Sequence, residues 1–160
     1  MEAHTQQHEH TSHNHYKHLL IMTILSFAAM YMLMYAMVDV FANVILNVNQ
    51  FYMAGLMSMP MVMIELGVMG GMYKNKKLNA IIFAVSSVAL ITFFLSIRQQ
   101  AMVGDKQFLK SMIPHHAAAI LMVKKAKLSD PEIIKLGQEI IASQEAEIAE
   151  MKAKLKELKK

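Results

Sequence analysis

Three long apolar blocks, joined by short polar connections and followed by a tail of alternating character, set the organisation of this chain. Residues 19–38 (LLIMTILSFAAMYMLMYAMV) run for twenty positions without a charged side chain, the length a helix needs to cross a hydrocarbon core of about 30 Å. A second block, residues 51–73, is broken only by Glu65, and a third, residues 78–97 (LNAIIFAVSSVALITFFLSI), has no formal charge. The pattern predicts three transmembrane helices. The first block is too long for the apolar region of a signal peptide, which is usually about 7–15 residues, so it reads as a retained anchor.

Past Arg98 the spacing becomes that of amphipathic helices, and the tail divides at LSDPE. Ser129 is placed to cap a new helix, with Glu132 completing a capping box, Pro131 in the first turn and Leu128 stapling onto Ile133. Residues 98–160 therefore predict a soluble antiparallel helical hairpin, and the whole chain an all-α fold. In the first helix of the hairpin, Met112, His115, His116, Ala119 and Met122 fall within about 120° of one another and share a face. In the second, Ile133, Gly137, Ile140, Gln144, Ile148, Met151 and Leu155 form a stripe. A turn at Ser129 and Asp130 sets His116 opposite Gln144 and Met112 opposite Ile148, one turn from Met151, with Glu147 flanking.

Charge supplies an orientation. The connection between the first two blocks has no lysine or arginine, whereas Lys74, Lys76 and Lys77 lie between the second and third. The positive-inside rule then puts the N-terminus and the lysine connection in the cytoplasm and the hairpin outside. The net charge of +4 comes from short lysine groups without interleaved aromatics, a poor match to a nucleic-acid surface.

Composition narrows the chemistry. There is no cysteine, but there are seventeen methionines and eight histidines, so disulfides and thiolate sites are excluded and the soft ligands are thioether and imidazole. Together these favour copper(I), with silver(I) as its mimic. Met112, His115, His116, Met122 and Met151 are the candidate ligands, with Gln144 and Glu147 as polar support; the bland alternative is a satisfied core histidine among methionine filler. Pro114 leaves the Lys110 carbonyl without its usual partner and bends the helix just before the histidine pair. In the second block Met57, Met61, Glu65 and Met69 recur every fourth residue, and a mid-membrane carboxylate marks a polar pathway or an interhelical contact. The first 18 residues carry His4, His8, His10, His13, His15 and His18 in a stretch too polar to fold alone, a disordered tail able to chelate metal loosely.

The segments FLKSMIPHHAAAILM and DPEIIKLGQEIIASQEAEIAEM closely resemble the family known as domain of unknown function 305, over about residues 105–155. The resemblance implies a ferritin-like helical half-bundle and an extracytoplasmic copper-binding protein of a bacterial inner membrane, with Met112, His115, His116, Met122 and Met151 as ligands. The Glu-x-x-His motif of di-iron sites is missing, since Met112 and Ile113 stand three residues before the histidines. No nucleophile, base and orienting group recur at a recognisable spacing, so the chain does not read as an enzyme.

Two helices bury little apolar surface, which predicts a homodimer through the hairpin. A copper transporter or chaperone is the expected exchange partner, and the lipid bilayer the expected surrounding. The alternative function is a structural or regulatory membrane protein whose hairpin binds another protein without metal. A third is a transporter component built on Glu65.

Overall fold

The computed structural model describes the backbone of residues 2–158 and the side chains of residues 14–158. Its elements are helix α1 (Glu2–Leu33), two 3₁₀ turns (Met34–Met37 and Phe41–Asn43), α2 (Val48–Val68), α3 (Lys76–Arg98), α4 (Asp105–Lys125) and α5 (Pro131–Glu157). The described residues are thus all-α, and Asn14–Met37, Val48–Val68 and Lys76–Arg98 are long and apolar enough to cross a membrane.

The extents of α1 and α2 differ from those the sequence predicts. Helix α1 runs back to Glu2 through the stretch read as a disordered tail, because adding a residue to an existing helix costs far less than starting one. Helix α2 begins earlier than predicted and stops at Val68. Beyond it Gly70 and Gly71 lie in a turn, where glycine is favoured and helix propensity is poor. Glu65 consequently sits one turn from the end of the span rather than at its middle.

The chain forms two compact units. The first comprises Met1–Tyr31 and Phe51–Ala101. Its core lies towards the α2–α3 turn, where Leu19, Val62, Leu66 and Tyr73 are buried against Tyr16, Met22 and Ile82. Farther along, Gly55 lets α2 approach α3, since a Cβ there would stand 2.5 Å from the Phe93 ring. Phe51 meets both Phe27 and Phe93 edge to face, with centroids 5.1 and 6.2 Å away.

The second unit comprises Met32–Gln50 and Met102–Lys160, so it is larger than the hairpin predicted over residues 98–160. Ile113, Ala117, Ile120, Ile148 and Leu155 form its core, and Val38 and Ile45 from the connection between α1 and α2 close one side of it. Two helices alone leave that side open to water, and the connection lies over it as a strap. Polar ties hold the strap in place. The Val48 N–H donates to Gln107 Oε1 (3.3 Å), Ser111 Oγ donates to Asn47 Oδ1 (3.3 Å), and the Tyr35 hydroxyl donates to the Ile45 carbonyl (3.1 Å).

The α4–α5 junction is capped by Asp130, not Ser129. Its carboxylate accepts the N–H groups of Glu132 and Ile133 at 2.8 and 3.1 Å, because Pro131 occupies the first helical position and makes the preceding residue the cap. Leu128 lies beside Gly137, where an added Cβ would be 3.4 Å from it, and Ile133 is exposed rather than stapled.

Candidate metal centre

Helix α4 buries Ile113, Pro114, His116, Ala117 and Ile120. These positions follow the 3.6-residue period, but on a face turned by about one residue, or roughly 100°, from the one predicted through Met112, His115 and Met122. Only His116 belongs to both. The rotation follows the larger apolar side chains, because Ile113 and Ile120 lose more surface to water than Ala119 can. His115 is exposed, with its ring centroid 6.0 Å from that of His116. Met122 is 53% exposed, so neither residue is gathered into the hairpin core.

His116 is 7% exposed and held at both nitrogens. Its Nδ1 lies 2.9 Å from the Met112 carbonyl oxygen and its Nε2 lies 2.6 Å from Glu147 Oε2. Of the two polar residues that the sequence sets near His116, Gln144 and Glu147, the contact is made by Glu147. A carbonyl oxygen only accepts, so Nδ1 carries the hydrogen, and a neutral ring then turns the Nε2 lone pair towards a carboxylate that also offers only lone pairs. A positive centre reconciles the two. A proton on Nε2 fits the 2.6 Å separation as an imidazolium–carboxylate pair. A metal ion bound to that nitrogen requires the carboxylate to swing aside, and the 47% exposed Glu147 side chain has room to do so.

The Ser143 hydroxyl donates to the other Glu147 oxygen at 2.6 Å. That bond first, and the His116 ring second, hold the Glu147 carboxyl below its ordinary 4.5. Ser143 was not singled out in the sequence, although its place four residues before Glu147 puts it on the same helical face.

The thioethers are placed by register. Met112 precedes His116 by one turn of α4, and Met151 follows Glu147 by one turn of α5. In antiparallel helices those two steps lead towards the same end. Met112 is half-buried, and Met151 packs against the hairpin core. Among the described residues no three histidine, aspartate or glutamate side chains are grouped to hold a metal ion. A site here therefore draws on His116 Nε2 and the two sulfurs, a donor set that suits a soft monovalent ion. A backbone bond at Nδ1 is a contact of the kind that fixes the tautomer of metal-binding histidines in general.

In the membrane unit, Tyr73 donates its hydroxyl to Glu65 Oε1 at 3.2 Å. Met61 stands one turn before Glu65 and is half-buried, while Met57 and the post-helical Met69 are exposed on the outside of the unit. His15 packs edge-on against Tyr73, with centroids 6.4 Å apart, and His18 is exposed. The side chains of His4, His8, His10 and His13 lie outside the described residues.

These features describe an all-α protein with three helices long and apolar enough to cross a membrane, whose second unit carries a histidine–carboxylate pair with a methionine one turn from each partner. The chain matches the family described as Domain of unknown function (DUF305) over residues 2–155, and it belongs to that family. The match runs through all three apolar helices, well beyond the hairpin segments that carry the resemblance in sequence. An uncharacterized protein of Acanthamoeba polyphaga mimivirus is 37% identical over 147 residues, covering 88% of this chain and 93% of that protein. No solved structure matches the chain.

Proposed function

We propose that this protein is a membrane-anchored copper(I)-holding protein, a carrier rather than an enzyme, whose binding unit faces the extracytoplasmic side. The observation that carries the reading is the His116 ring, which is buried and fixed through Nδ1 by the Met112 carbonyl, with Met112 one turn before it on α4 and Met151 one turn after its partner Glu147 on α5. In this reading Nε2 exchanges a proton for the ion. That proton passes to solvent as Glu147 swings outward, and Met112 and Met151 would supply sulfur. Thioethers hold copper(I) without thiolates, which suits an oxidising compartment and a chain with no cysteine. The lysines between α2 and α3 favour a cytoplasmic position for that turn, as in a bacterial inner membrane, and place the strap and hairpin opposite.

Competition titration of the full-length protein in detergent with a copper(I) chelator tests this reading. One ion per chain is expected, with affinity lowered roughly tenfold or more by His116→Ala and less by Met112→Leu or Met151→Leu. Unchanged affinity in a folded His116→Ala protein refutes it. Silver(I) should compete for the same site.

A second reading draws on the exposed apolar residues around the hairpin turn, Met122, Leu128, Ile133 and Leu136. These suit a protein partner, whether a second copy completing a four-helix bundle or a copper-exchange protein. Crosslinking that recovers a partner equally well from His116→Ala and wild type separates this role from metal binding.

A further inference from the structure

Helix α4 leaves one apolar face bare. Phe108, Met112, His115, Ala119 and Met122 follow one another at steps of four, three, four and three residues, the heptad spacing of a seam that meets another helix. At 100° per residue they span about 80° and point roughly 150° away from Ile113, Ala117 and Ile120, which fill the hairpin core. Phe108 is 52% and Met122 53% exposed, His115 is exposed, and Met112 and Ala119 are half-buried. Helix α5 and the strap engage other positions of α4, the first at His116 and Val123 and the second at Gln107 and Ser111. No aspartate, glutamate, lysine or arginine stands between Lys110 and Lys124, so no charge keeps this face in water.

The stripe is nearly a palindrome about His115. Phe108 and Met122 stand seven residues to either side, Met112 three before and Ala119 four after. A two-fold contact demands such a pattern, because residue i meets j wherever j meets i. When two copies of α4 lie antiparallel with their His115 residues together, Phe108 of each faces Met122 of the other, an aromatic–sulfur pair. Met112 then faces Ala119, large against small. Charge agrees with this direction. Asp105 in the first turn comes opposite Lys125 in the last turn, whereas a parallel pair sets aspartate beside aspartate and lysine beside lysine. A neutral imidazole has one donor and one acceptor nitrogen, so the two His115 rings can bond to each other at the axis.

We propose that α4 pairs antiparallel with α4 of a second copy of this chain through Phe108, Met112, His115, Ala119 and Met122. The contact rests on the partner-binding reading of the hairpin, names its partner, and is independent of copper. His115 is the polar residue that sets the register of the seam.

The chain has no cysteine, so introduced thiols report the contact directly. In full-length protein in detergent, His115→Cys should form a disulfide-linked dimer under mild oxidant. Phe108→Cys mixed with Met122→Cys should do the same, while either alone should stay largely uncrosslinked, because the two copies of each position lie about 20 Å apart along the antiparallel pair. By light scattering, Met122→Glu should weaken the dimer roughly tenfold or more, since it enters the seam twice. Ala149→Glu, at an exposed position of α5, should leave it unchanged. Helical content by circular dichroism should be the same in both variants, and copper(I) uptake should persist in Met122→Glu, which separates this contact from the metal centre.

A single-chain mass for wild type, an absent His115→Cys crosslink, or an unweakened dimer in Met122→Glu overturns the proposal. So does a Phe108→Cys self-crosslink as strong as the mixed pair, which would make the helices parallel. Capture of a different protein in cells without any His115→Cys self-crosslink would keep the partner-binding reading and overturn this contact.

Discussion

The two units treat apolar side chains in opposite ways. In the membrane unit Val68 is 78% and Val88 65% exposed, whereas Ile113, Ala117 and Ile120 in the hairpin unit are each 0% exposed. Both sets lie on regular helices, so secondary structure does not distinguish them. The surrounding solvent does. Apolar surface left outward is stable against acyl chains and costly against water, and a unit with a dry interior and charged exterior is built for water. The contrast extends to chemistry: each unit holds a carboxylate beside an aromatic ring with methionines a turn away, but Glu65 and Tyr73 belong to one helix and the turn after it, whereas Glu147 and His116 join two helices.

Core truncation should separate the units most strongly. Ile120→Ala should destabilise the hairpin unit by about 2–5 kcal/mol, seen as lost hydrogen-exchange protection in α4 and α5. Val88→Ala, on an exposed face, should change stability by less than about 0.5 kcal/mol. Similar losses for the two would break the comparison.

Close helix approach is a point on which the units agree. An added Cβ at Gly137 would lie 2.8 Å from Val123 Cγ1, and one at Gly55 would lie 2.5 Å from the Phe93 ring. Alanine at either position should therefore cost about 1–3 kcal/mol of net overpacking, measured as a lower thermal midpoint in detergent. Asp130→Ala should cost about 1 kcal/mol through loss of the α5 cap, with early fraying at the start of α5 visible by hydrogen exchange.

The smallest effect concerns pH. Because its folded value is depressed, Glu147 contributes stability that is fully present above its ordinary 4.5 and lost as pH falls through the lower folded value. Ser143→Ala removes the leading cause of that depression and should move the acid unfolding midpoint of the hairpin upwards. An unmoved midpoint would show that the Ser143 bond does not set it. The membrane unit should not respond.

Helix number, the apolar character of the spans and the hairpin were legible because each depends on patterns many residues long. The stripe on α5 was legible too, with Gly137, Ile148 and Leu155 buried as its spacing predicts. The α4 face was not. Adjacent histidines drew the predicted face to themselves, while burial followed Ile113 and Ile120. Spacing along α5 placed both Gln144 and Glu147 near His116 and did not resolve that Glu147 makes the contact. Asp130 in place of Ser129 turned on one residue, which only the position of Pro131 decides. The strap was beyond pattern reading, since Val38 and Ile45 carry no local sign that they will cover a core made by residues far along the chain.

The discontinuity of that unit has a consequence for biosynthesis. Asn47 and its partner Ser111 are 64 residues apart, so at about 5–20 residues per second the ribosome delivers the second roughly 3–13 s after the first. During that interval Val38 and Ile45 have no core to cover, and the unit can close only after the last candidate span, α3, has been synthesised and α4 and α5 follow it. A gene fragment beginning after that span would encode an incomplete unit, with one wall of its interior missing.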